Sequence, residues 1–177
     1  MTAKRGRPQR RGRDKAVGHG PRRGTWPAPS PIADAEGPIT HAIFRIARKH
    51  RVVVGNLLRP IGLYPGQELL LMQLWERDAR SQADLVDALG IDHSTVTKML
   101  QRMAAAGLVE RRASSVDRRV VVVSLTARGR RVRVEVERIW QDMERLTVGH
   151  LGGMQRADLL RLLHSIEANL QPDPASE

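Results

Sequence analysis

The sequence predicts an α+β fold, mostly helical, and three observations carry that expectation. From Ile39 onward, apolar residues recur at three- and four-residue spacing, the period of an amphipathic helix. Only two short Val-rich runs, Leu108–Arg112 and Arg119–Ser124, have strand character, with a short polar loop between them. Glycines and capping residues stand where turns are needed: Ser81, Gly90, Asp92, Gly107 and Thr126.

The elements follow in order. Residues 1–37 are expected to form a disordered basic tail, because Gly, Pro and Arg dominate and Trp26 is the lone large apolar residue. Ile39, Ile43, Ile46, Val53, Val54, Leu57 and Leu58 then fall near one helical face, and Pro60 with Gly62 ends the run. A second helix is expected from about Pro65, a residue suited to a first turn, carrying Leu69, Leu70, Met72, Leu74 and Trp75. Ser81 with Asp84 three residues on reads as a capping box for a third helix, whose Leu85 and Leu89 face inward before Gly90 ends it.

Asp92 caps a fourth helix with Val96, Leu100 and Met103 inward; its opposite face carries His93, Ser94, Thr95, Thr97, Lys98, Gln101 and Arg102. After the hairpin, Thr126 caps a long helix on which Leu125, Gly129, Val132, Val136, Ile139, Met143 and Leu146 step as a heptad-type seam. Beyond Gly149, Gly152 and Gly153, a last stripe runs through Leu159, Leu163, Ile166 and Leu170, and residues 171–177 are expected to be disordered.

Composition narrows the function classes. A chain of 177 residues fits one domain with a sizeable core, which Leu, Val and Ile must fill because aromatics are 3%. The absence of Cys excludes a disulfide scaffold, a thiolate zinc site and cysteine redox sensing. No apolar run approaches ~18 residues, and no apolar segment follows the Arg10-Arg11 or Arg22-Arg23 pairs, so a cytoplasmic, nucleoid-associated protein is expected, with no membrane partner.

The net charge of +11 is polarised, since nine of the 30 Lys and Arg precede residue 31 against a single acid, Asp14. The folded part is therefore near neutral, and any nucleic-acid face has to be argued from residue placement. His19, His41, His50, His93, His150 and His164 are scattered without metal-ligand spacing, and Gly152-Gly153 does not make a phosphate loop. No catalytic residue, metal or cofactor is expected, and the chain reads as a non-enzyme.

Ser81–Arg130 does read as a DNA reader. A helix that enters the major groove needs short side chains with donors and acceptors near its N-terminus. Ser94, Thr95 and Thr97 supply hydroxyls, Thr methyls suit thymine methyls, and Lys98 and Arg102 lie one and two turns on for phosphate or guanine. A capped helix whose polar face is merely solvated is the plainer reading of that segment alone. The hairpin shifts the balance: Arg111, Arg112, Arg118 and Arg119 cluster around a tight loop, and an Arg at such a tip suits a narrow minor groove. Asp117 has the wrong sign for DNA and is expected to brace Arg119 across the loop.

With those residues in view, residues 63–131 resemble the winged helix-turn-helix of the MarR family of bacterial transcription regulators. The matching pieces are LYPGQELLLMQL, SQADLVDALGIDHSTVTKMLQRM, AGLVERR, the wing VDRR and VSLTARGR. The resemblance implies a homodimer on a pseudo-palindromic operator, with Ser94, Thr95, Thr97 and Lys98 in the major groove, Arg118 in the minor groove and Asp117 pairing with Arg119. DNA contacts are thus expected from Ser81, His93, Ser94, Thr95, Thr97, Lys98, Arg102, Arg112, Arg118 and Arg119. The resemblance also implies dimerisation helices at 38–60 and 125–170 flanking a reading region at 61–124. It places a cleft for a small aromatic or phenolic effector between them, for which His41, Arg45, Tyr64 and Trp75 are nominated. Two departures stand out: Tyr64 occupies a position where the family often has a Thr or Ser cap, and the wing loop SSVDRR lacks the customary Pro and extra acid.

The tail adds Lys4-Arg5-Gly6-Arg7-Pro8, whose Arg5, Gly6, Arg7 and Pro8 form the core of an AT-hook. A sequence-selective hook, nonspecific phosphate attraction and no DNA role at all are the alternatives for it. For the whole chain the expected function is sequence-specific binding of double-stranded DNA as a repressor released by an effector. The rivals are an architectural, nucleoid-type DNA-binding protein without an effector and a winged-helix protein-interaction module.

Overall fold

The computed structural model describes residues 35–170. The tail bearing Arg5, Gly6, Arg7 and Pro8, with Trp26, and the segment 171–177 lie outside the described residues. The chain divides into two units, 1–42 and 43–177, and of the first only residues 35–42 are described. Everything that forms the site below belongs to the second.

Helix α1 spans Pro38–Leu58 and runs into a short 3-10 turn, Arg59–Ile61, where Pro60 cannot continue the helix. Helix α2 is Gln67–Glu76, strand β1 is Arg80–Ser81, α3 is Gln82–Leu89 and α4 is His93–Ala105. Strands β2 (Val109–Ala113) and β3 (Val121–Leu125) form the hairpin, followed by α5 (Ala127–Arg131), α6 (Arg133–Val148) and α7 (Gly153–Asn169). The sheet order is β1-β3-β2, all antiparallel, with Arg111 opposite Val123 and Arg80 on the other flank of the same Val123.

One apolar core lies where α2, α3, α4 and the hairpin converge. Leu58, Leu70, Leu71, Leu74, Leu85, Val96, Leu100, Met103, Leu108 and Val123 are all fully buried there. Each such Leu contributes roughly 1.5–3 kcal/mol, whereas an exposed ion pair contributes about 0–1 kcal/mol. The core, and not the many surface Arg–carboxylate pairs, therefore holds the reading head rigid.

Several sequence expectations are corrected. Helix α2 begins two residues after Pro65: Gly66 at φ +100° occupies the N-cap, a backbone state closed to Pro. The 80–81 strand went unread because two residues carry no periodicity; it exists only by pairing with β3. The predicted long helix is broken at Val132, and its seam is buried through Val136, Ile139 and Met143 while Leu146 is exposed. Leu163 on α7 and Leu170 just beyond its end are exposed, and no residue of that helix is buried. On α1, Ile39, Ile43 and Ile46 are exposed while Val54 and Leu58 are buried.

Candidate nucleic-acid interface

Helix α4 owes its position to its first turn. Asp92, in extended backbone, accepts from the Thr95 amide at 2.9 Å, the Ser94 hydroxyl at 2.6 Å and the Thr95 hydroxyl at 2.6 Å. These bonds, with the Ser94 hydroxyl foremost, hold the Asp92 carboxyl far below the ordinary carboxylate range. Val96, Leu100 and Met103 bury the inner face, leaving Lys98, Gln101 and Arg102 exposed with no hydrogen bond or ion pair among the described residues.

The hydroxyl-rich face is more committed than its sequence suggests. Ser94 and Thr95 both donate to Asp92, so their oxygens remain free only as acceptors. Thr97 donates to the His93 carbonyl at 2.8 Å and accepts from Gln82 Nε2 at 2.7 Å. His93 Nε2 lies 3.1 Å from the same Gln82 nitrogen. Thr97 and His93, expected to reach toward DNA, thus turn toward α3. Ser81, also expected at DNA, spends its oxygen on the Asp84 amide at 3.0 Å, completing the capping box of α3.

The wing is closed by its own side chains. The Asp117 carboxylate accepts from the Arg119 amide at 2.9 Å and from Arg119 Nε and Nη2 at 3.1 Å each. These bonds also lower the Asp117 pKa, the Arg119 side chain contributing most. Ser114 supplies the brace that the missing Pro would have given: its hydroxyl accepts from the Val116 and Asp117 amides, and its own amide donates to the Val120 carbonyl at 2.8 Å. Arg118 is left exposed at the tip with no partner among the described residues. Arg112 pairs with Glu110 at 2.8 Å along the strand, and Arg111 is withdrawn from the tip altogether, donating to Gln82 Oε1 at 2.9 Å.

The wing is anchored to the rest of the head by polar bonds. Thr126 donates to the Gly107 carbonyl at 2.6 Å and caps α5 through the Gly129 amide. Asp78 accepts from the Leu125 amide at 2.8 Å and from Arg130 at 2.7 Å. Gly129 is buried against Leu108, and its carbonyl accepts from the Trp75 indole at 3.0 Å.

The residues nominated for an effector fare unevenly. His41 is buried, Arg45 is exposed, and Tyr64 is 68% exposed. The Tyr64 amide donates to Gln67 Oε1 at 3.0 Å, and no side chain caps the first turn of α2. Trp75 borders a cavity of about 330 Å³ with Met72, Glu76, Arg133 and Glu137. Two polar residues escaped the sequence reading, Gln82 and Ser114, and Arg111 was read there as part of the wing tip. The first is a polar residue at 6% exposure, a signal that only burial reveals.

A short helix pair with a rigid second helix, followed at once by a braced Arg-tipped hairpin, defines a winged helix-turn-helix DNA-binding fold. Residues 63–121 match the family model described as the MarR family. It is similar to the organic hydroperoxide resistance transcriptional regulator of Bacillus subtilis, 41% identical over 66 residues, a match covering 37% of this chain and 44% of that protein. It is also similar to the transcriptional repressor NicR of Pseudomonas putida, 25% identical over 80% of this chain and 92% of that one. Among solved structures, BpsR of Bordetella bronchiseptica, described by the regulation of its DNA binding by 6-hydroxynicotinic acid, superposes with a TM-score of 0.67 at 27% identity, covering 73% of this chain and 98% of that one. Among the described residues no helix is long and apolar enough to cross a membrane.

Proposed function

We propose that the chain is a transcriptional repressor that binds a pseudo-palindromic operator as a homodimer. The observation that carries this reading is the pairing of two cationic surfaces without a partner among the described residues: Lys98 and Arg102 on the exposed face of α4, and Arg118 at the tip of a braced wing. Helix α4 enters the major groove, where Lys98 and Arg102 meet phosphate or guanine and the Ser94 and Thr95 oxygens accept from bases. Arg118 enters the neighbouring minor groove. Two α4 helices then lie about 34 Å apart, one turn of DNA.

Exposed apolar residues support the dimer: Phe44 and Ile46 on α1, and Leu160, Leu162 and Leu163 on α7, are left uncovered by the described residues. The relatives' repressor and ligand-regulated descriptions support release by a small aromatic or phenolic effector, which must bind the DNA-competent state less tightly than the alternative. Such a protein works in the cytoplasm on the nucleoid. The test is selection of duplexes from a random pool followed by footprinting. An inverted repeat bound roughly 10³-fold more tightly than unrelated DNA is expected. Equal affinity for unrelated DNA would instead establish an architectural role.

A further inference from the structure

Gln82 is the first residue of α3, nearly fully buried, and it touches both halves of the reading head. Its Oε1 accepts from Arg111 Nη2 on β2 at 2.9 Å, while its Nε2 lies 2.7 Å from Thr97 Oγ1 and 3.1 Å from His93 Nε2 on α4. The direction of every proton in this chain follows from its first member. A guanidinium only donates, so the amide oxygen must face Arg111 and the NH2 must face α4. The two amide protons then go to Thr97 and to His93 Nε2, so that nitrogen has to be unprotonated. The imidazole is neutral with its proton on Nδ1, which lies 3.4 Å from Thr97 Oγ1. Thr97 donates its own proton to the His93 carbonyl at 2.8 Å, while the buried Arg111 Nε has no hydrogen-bond partner among the described residues.

We propose that Gln82 is a positioning residue for sequence reading: through Arg111 on one side and His93 and Thr97 on the other, it locks α4 in register with the wing. This rests on the DNA-binding reading above. It also changes the roles of His93 and Thr97, which serve as internal anchors of α4 and not as base contacts. The consequence is specific. Loss of the lock lets α4 and Arg118 address their grooves independently, which costs discrimination between sequences but leaves phosphate attraction intact.

The test uses the full chain and a duplex selected by the wild-type protein from a random pool, beside a scrambled duplex of equal length. Gln82→Leu removes the whole chain of bonds at similar volume, and Gln82→Glu keeps the acceptor for Arg111 while removing both donors to α4. Both variants are expected to lose about ten-fold in the ratio of selected to scrambled affinity, with scrambled affinity and its salt slope unchanged. A ratio within two-fold of wild type, or equal weakening on both duplexes, overturns the proposal. Nitrogen-15 NMR of the wild-type imidazoles supplies a measurement independent of whether either variant folds. A neutral His93 protonated on Nδ1 is expected at pH 7.5, and a proton on Nε2 overturns the proposal. If the wild type selects no sequence, the DNA-reading function itself fails, and the NMR result still decides the hydrogen-bond chain.

Discussion

Arg119 folds back onto Asp117 so that its backbone amide, Nε and Nη2 all point at one carboxylate, within 2.9–3.1 Å. The pair flanks a single residue and closes the wing loop beneath it, which leaves Arg118 between them as the projecting cation. An acid beside DNA is repulsive on charge alone, so its presence calls for a conformational explanation, and the brace supplies one.

Asp117→Ala separates the two accounts. Charge alone predicts tighter operator binding, whereas loss of the brace predicts binding about two- to five-fold weaker, read by fluorescence anisotropy. With the Asp117 pKa depressed in the folded state, the brace contributes fully above the ordinary carboxylate value and is lost as pH falls through the lowered one.

Ser81→Ala tests the cap of α3. The hydroxyl accepts the Asp84 amide, and Asp84 returns the bond to the Ser81 amide at 3.4 Å. Removing it costs about 1 kcal/mol, a fall of roughly 2–4 °C in Tm for a chain of this size. An unchanged melting curve would show that the capping box contributes nothing.

Gly129→Ala tests the joint between wing and body. A Cβ at this position would be driven into the Leu108 carbonyl, which is backbone and cannot swing aside. The cost is expected to be about 1–3 kcal/mol or more, measured by urea unfolding. A wild-type midpoint would mean that β2 and α5 can separate at no cost.

Glu68 tests a buried carboxyl outside the DNA face. Burial raises its pKa, opposed by its own backbone, by the Gly66 amide at 2.7 Å, and by Arg51 and His50. The folded state therefore holds this proton more tightly than the unfolded chain does, so stability from the group is full below the unfolded value of about 4.3 and is lost as pH rises through the folded one. Glu68→Gln should raise Tm at pH 7 and have little effect at pH 4. A shift of equal size at both pH values would show that ionisation is not the cause.

Deletion of residues 1–30 removes nine basic side chains and one acid. The salt dependence of DNA affinity should flatten by about 0.9 in slope for every phosphate that the tail neutralises in the full chain. The preference for the selected duplex persists if α4 and the wing carry it. An unchanged slope would deny the tail any part in DNA binding.

What the sequence determined by itself is local. Caps at Ser81, Asp92 and Thr126, the Gly90 turn, the inward faces of α3 and α4, and the Asp117–Arg119 brace all lie within a few residues of one another, where spacing and residue chemistry suffice. Tertiary structure alone decided what crosses between elements. Strand β1 is two residues long and exists only because β3 offers it a partner. Arg111, which the sequence grouped with the wing tip, is drawn inward by Gln82, 29 residues away. Thr97 and His93 were legible as polar residues on an outer face, yet their hydrogen bonds run to that same glutamine. The physical reason is that periodicity reports which face of a helix is apolar. A polar side chain's partner depends on which donors and acceptors folding brings within about 3 Å, and that is known only once the chain has closed on itself.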